Sequence, residues 1–172
     1  MGGGDAMDSG TLDWDIVGST EPGGKMTDGE SRRGGPLSTA AVEVRVAAEL
    51  GNLAVLRTLV GAVGTFSDLN FDAVADLRLA VDEACTRLIR SAVPGAMLVV
   101  VVDPREAVVV VEASTECDGD DVVTPGSFSW HVLSSLTDDL QTFGDGDGHA
   151  AGGTDGRIFG ITLTTRRAGA TR

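Results

Sequence analysis

The 172-residue chain carries 26 acidic against 13 basic side chains, a formal net charge of −13, and 42% of it is hydrophobic. That length holds one ordinary domain with some tail and enough apolar chain for a core. The charge excludes an extended nucleic-acid surface, which needs clustered Lys and Arg to displace counterions from phosphate.

No apolar run reaches bilayer length, and the start, MGGGDAMDSG, has no basic-then-apolar leader, so the expectation is a cytoplasmic protein without membrane contact. Cys85 and Cys117 are the two cysteines. They form no zinc spacing and are too few for a secreted disulfide scaffold. Cys85 falls beside an apolar helix face and reads as buried, whereas Cys117 reads as more exposed.

In chain order, residues 1–38 are rich in Gly, Ser, Asp and Pro. Such a stretch buries too little apolar surface to offset its ordering entropy, so it reads as a disordered tail. Within it Leu12, Trp14, Ile16 and Val17 form an apolar island, either an isolated patch or a short docking segment. The alternation of Val42, Val44 and Val46 with Glu43 and Arg45 predicts a half-buried strand. A helix from Asn52 to Phe66 follows, with Asn52 as N-cap and Leu53, Leu56, Leu59, Val60 and Val63 as its buried stripe. Arg57 falls opposite that stripe, on the solvent side.

The long stretch Asp76–Ala92, DLRLAVDEACTRLIRSA, has Leu77, Val81, Ala84, Leu88 and Ala92 at three- and four-residue steps. This predicts a helix with one buried face, lying between a capping region at Asn70 and Asp72 and a stop at Pro94-Gly95. Met97–Asp103 and Ala107–Ala113 are valine-rich strands, predicted to form a hairpin through Asp103-Pro104-Arg105-Glu106. A polar loop, Ser114–Pro125, leads into a helix from Phe128 to Gln141. The connector Gly144–Gly156 leads into a last strand, Ile158–Thr165. Hairpin-joined strands with helices needing an apolar surface predict an α+β two-layer sandwich, a mixed, mostly antiparallel sheet with helices on one side. The domain is expected over residues 39–167, with a short tail at 168–172.

Few residues carry chemistry by themselves. Glu83 sits at the rim of the buried stripe, and on spacing alone Glu83 and Arg87 form a surface i,i+4 pair worth a few tenths of a kcal/mol. His131 and His149 have no Cys or Ser company that would make a metal or triad site. Asp145-Gly146-Asp147-Gly148 lacks the later glutamate of a calcium loop, and no Gly-Lys-Ser/Thr marks a P-loop.

The wording of the long helix adds to this. Its D-E-A-C-T-R resembles the E-A-x-x-N helix box of the GHKL, or histidine-kinase-like, ATPase superfamily, in particular its RsbW-type anti-sigma factors. LAVLRTLVGAVGTF, GSFSWHVL and FGITLTTRR resemble the mycobacterial branch of that family, and the likeness covers roughly Ala41–Arg166. It implies the histidine-kinase-like fold, with Glu83 as general base and Arg87 at the position of a Mg²⁺-binding asparagine. Asp118 stands for the adenine-binding aspartate, with Gly119 and Gly126 for glycines near phosphate. Arg57 stands for an arginine facing the sigma factor and its antagonist.

ATP and Mg²⁺ are the implied cofactors, but the boxes depart from the pattern. A guanidinium has only donors and cannot ligate Mg²⁺. The spacing around Asp118 is altered, and Phe128 and Trp130 would crowd a phosphate. The expectation is an anti-sigma factor with a weakened or lost ATP site. Its implied partners are a SigF-type stress or stationary-phase sigma factor, a STAS-domain antagonist and a second copy in a homodimer. The alternative is an active serine/threonine kinase that phosphorylates the antagonist.

Overall fold

Strand β3, Val108–Cys117, alternates half-exposed and buried residues over its whole length, the pattern of a strand with one face in a core. It is the middle of a five-stranded sheet of order β1-β2-β3-β5-β4. The others are β1 (Val42–Ala47), β2 (Met97–Pro104), β4 (Asp139–Gly144) and β5 (Arg157–Arg166). The computed structural model describes residues 36–119, 122–144 and 157–167, all within one unit, Gly34–Arg172. Every pairing of these strands is antiparallel.

Three helices cover one face: α1 (Leu53–Phe66), α2 (Phe71–Ser91) and α3 (Phe128–Leu136). Leu56 and Val60 of α1, Leu77, Val81 and Leu88 of α2, and Leu133 of α3 share one core with Val100, Val111, Ile161 and Leu163 of the sheet. The α+β two-layer sandwich is therefore present as expected. On the other face a register row runs Glu43, Val101, Glu112, Thr162, Gln141.

Helix α2 forms where its periodicity placed it but begins earlier, at Phe71 rather than Asp76. Asn70 is extended and its side chain accepts the Ala73 amide at 2.8 Å, while Asp72 and Arg90 complement the helix dipole at the two ends. The buried positions 77, 80, 81, 84, 85 and 88 make one continuous stripe, and Ala80 and Ala84 keep its neighbours close.

Other expectations are corrected. Asn52 does not cap α1. It is already helical, closes a short 3₁₀ turn, Leu50–Asn52, and gives its side-chain amide to the Ala47 carbonyl. Pro104 ends β2 instead of entering the turn, and the hairpin closes through the Arg105 amide on Val108 O at 2.8 Å. β3 continues through Ser114–Cys117, so the polar loop starts later and Cys117 is fully buried.

The helix expected over Phe128–Gln141 stops at Leu136, and Asp139–Gly144 is a strand instead. Thr137 is extended. Asp138 gives its amide to Thr164 O and accepts the Arg166 amide, which pulls the chain onto β5. Leu140 fits either assignment, because the strand also turns it toward the core. Gly144 belongs to β4, and connector residues 145–156 lie outside the described residues, as do 1–35, His149 and 168–172.

Candidate functional site

Helix α2 places consecutive acids on two different surfaces. Glu83 faces α3. Its Oε1 accepts the Ser129 hydroxyl at 2.7 Å and Arg87 Nε at 2.9 Å. Ser129 is in the first turn of α3, fixed by Ser127, whose side chain caps the helix through the Trp130 amide at 3.2 Å. Burial pushes the Glu83 carboxyl up, but the hydrogen bonds from Ser129 and Arg87 and the charges of Arg87 and Arg90 outweigh it. The net effect holds the group below the usual carboxylate range, so it is ionised at neutral pH.

Asp82 faces α1 instead. Both of its oxygens accept Nη2 of Arg57, at 2.6 and 2.7 Å. Arg57 is thus not the free solvent-side arginine of the sequence reading. It is half-buried and anchored across the α1–α2 contact, with no described acceptor on Nε or Nη1. Beside it a surface groove of about 640 Å³ runs between α1 and the start of α2, lined among others by Gly61, Phe66, Phe71 and Arg78.

No protein-family model matches the chain. Two curated relatives do, both named anti-sigma-F factor RsbW and both from Mycobacterium tuberculosis, strains CDC 1551 / Oshkosh and ATCC 25618 / H37Rv. Each is 59% identical over 169 residues, spanning 98% of this chain and 99% of the relative. The chain belongs to the RsbW anti-sigma factor family.

In this RsbW-family chain the residues expected to form nucleotide boxes are spread over the second half of α2, the end of β3 and the start of α3. Asp118 follows β3 directly, and its amide is bonded to Ser91 O at the end of α2. Eight residues of helix separate Ser91 from Glu83, about 12 Å of axis at 1.5 Å per residue. Gly119 and Gly126 have φ of +138° and +86°, conformations that a side chain would strain. Gly126 immediately precedes Ser127, the α3 cap, and lies three residues before Ser129, which bonds Glu83, whereas Asp118 and Gly119 follow β3 beside the last residue of α2.

Phe128 is 78% exposed and Trp130 packs against the core, and the α3 side chain that engages Glu83 is Ser129. The remaining donors fit Mg-ATP poorly. Glu83 Oε1 already takes two donors, Arg87 offers no lone pair, and no three His, Cys, Asp or Glu side chains converge as a metal set among the described residues.

Sequence reasoning missed Ser129 and Asp82. Asp82 could have been suspected from its place one residue before Glu83, which on a helix turns it by 100° toward another neighbour. Both cysteines are free and buried, and burial pushes the Cys85 thiol up to about 12, with the Asp82 charge adding to it, and the Cys117 thiol to about 11.

Proposed function

We propose that this chain sequesters a SigF-type sigma factor in the cytoplasm and releases it when a STAS-domain antagonist competes for the same surface. The observation that carries this reading is the 59% identity, over nearly the whole chain, to proteins named anti-sigma-F factor. Asp82 supports the assignment of Arg57 as a contact residue. It holds the guanidinium by one nitrogen and leaves the rest of the fork toward solvent, so little rotamer entropy is lost on binding.

Sequestration proceeds without nucleotide chemistry. Glu83 is tied by Ser129 and Arg87, a coupling of α2 to α3 that needs no bound ligand. The chain acts as a homodimer, and the sheet face opposite the helices, where Met97 and Ile158 are exposed, supports a second copy. The net charge of −13 favours fast encounter with a basic partner surface.

Calorimetric titration of the sigma factor into the nucleotide-free chain tests this. The parent binds, and Arg57→Glu binds at least tenfold more weakly with its thermal midpoint within a few degrees of the parent. Absence of binding by the parent contradicts the proposal.

A further inference from the structure

The chain has five phenylalanines, and two of them stand almost fully in solvent at one corner: Phe66 is 89% exposed and Phe71 is 87% exposed. They end α1 and begin α2, on either side of a turn that is well defined. Leu69 N donates to Gly64 O at 3.2 Å and Asp68 N to Thr65 O at 3.4 Å, with Asp68 at φ +57°. That is a Schellman closure, and Leu69 is buried beneath it. The rings are therefore held out by a fixed backbone at the end of the α1–α2 groove. Exposed aromatics of this kind are costly to display and are enriched where one protein anchors another.

The charges in the groove run against the rest of the chain. Its lining includes two guanidinium groups, Arg57 and Arg78, and no carboxylate. Arg78 lays its aliphatic stem across Gly61, where an added Cβ would meet Arg78 Cδ at 3.1 Å. Arg78 makes no hydrogen bond or ion pair among the described residues. A protein with twice as many acidic as basic side chains thus lines this groove with one arginine already held by Asp82 and a second, Arg78, whose fork has no described partner. Guanidinium beside aromatic surface complements a carboxylate flanked by bulky apolar side chains.

We propose that this groove, through Arg78, Phe66 and Phe71, receives an acidic, apolar-anchored segment of the sigma factor. The inference rests on the sigma-binding reading and adds the chemistry of the docking element. The overall attraction is to a basic partner, but the segment seated here carries Asp or Glu beside aromatic or aliphatic residues.

The experiment measures sigma-factor affinity for the full chain and for Arg78→Glu, Arg78→Lys and Phe66→Ser/Phe71→Ser, with thermal midpoints as a folding control. It adds competition by overlapping synthetic peptides that span the sigma factor. The expected result is a loss of at least tenfold for Arg78→Glu and for the double variant. Arg78→Lys loses less, and the competing peptides are acidic and apolar. If the parent binds and the folded variants bind equally well, the inference fails while the sigma-binding reading stands. If the parent does not bind, both fail. Competition by basic peptides alone overturns the inference, and so does an Arg78→Glu variant that keeps the sigma factor but loses binding of added ATP, which would assign the groove to phosphate.

Discussion

Glu83 and Asp103 share an electrostatic signature that predicts how the protein responds to acid. Burial raises both carboxyls. For Glu83, Ser129 and Arg87 more than offset it, and for Asp103 the Ser38 amide at 3.1 Å and Arg105 Nε at 2.8 Å do. Both are held below their ordinary values, so each contributes stability above the usual carboxylate range. That stability is lost as pH falls through the depressed folded value. The thermal midpoint should fall between pH 5 and about pH 3, and it should fall less steeply in Glu83→Gln, which cannot titrate. Calorimetry across that range decides it; equal slopes in parent and variant would contradict the assignment. The Arg57–Asp82 pair is worth little by comparison, because both side chains are partly exposed, and its loss should cost about 0.2–1 kcal/mol. That modest cost is what lets Arg57 variants report on binding rather than folding.

Among the elements, β4 and β5 depend on one close approach. Phe143 lies over Gly160, where an added Cβ would fall within the ring. Gly160→Val should therefore destabilise by about 1–3 kcal/mol through overpacking, measured by denaturant unfolding, and an unchanged midpoint would contradict the packing. This strand pair was the least legible part of the sequence. Leu133, Leu136 and Leu140 keep helical spacing across the Thr137 break, and only pairing with β5, from Asp139 with Thr164 to Gly144 with Phe159, decides for a strand. Helix α2 was legible because its stripe, its cap and its stop are all local. Cys117 was misplaced for a related reason: Ser114–Glu116 look polar, yet Ser114 and Glu116 face outward and the buried Thr115 gives its hydroxyl to Met97 O, so the strand continues to Cys117.

At the scale of the whole molecule, the two-layer sandwich could be read from the alternation of β1, the valine-rich runs of β2 and β3 and the periodicity of α1 and α2. The candidate site was legible only in part. Glu83, Arg87 and Arg57 stand in recognisable stretches, but what each one touches was not visible. Ser129 reaches Glu83 from 46 positions away and Asp82 reaches Arg57 from 25, contacts that only the packing of α2 against α3 and α1 creates. Those contacts motivate the central claim, that the chain inhibits by binding rather than by phosphotransfer.

Sigma-dependent run-off transcription without added nucleotide beyond the elongation substrates cannot separate the two, since ATP is one of those substrates. Holoenzyme formation from sigma factor and core polymerase in nucleotide-free buffer does. The chain should block assembly completely once it matches the sigma factor in concentration, and Mg-ATP should not be needed. No block, or a block that appears only when Mg-ATP is supplied and disappears in Glu83→Gln, would contradict the account.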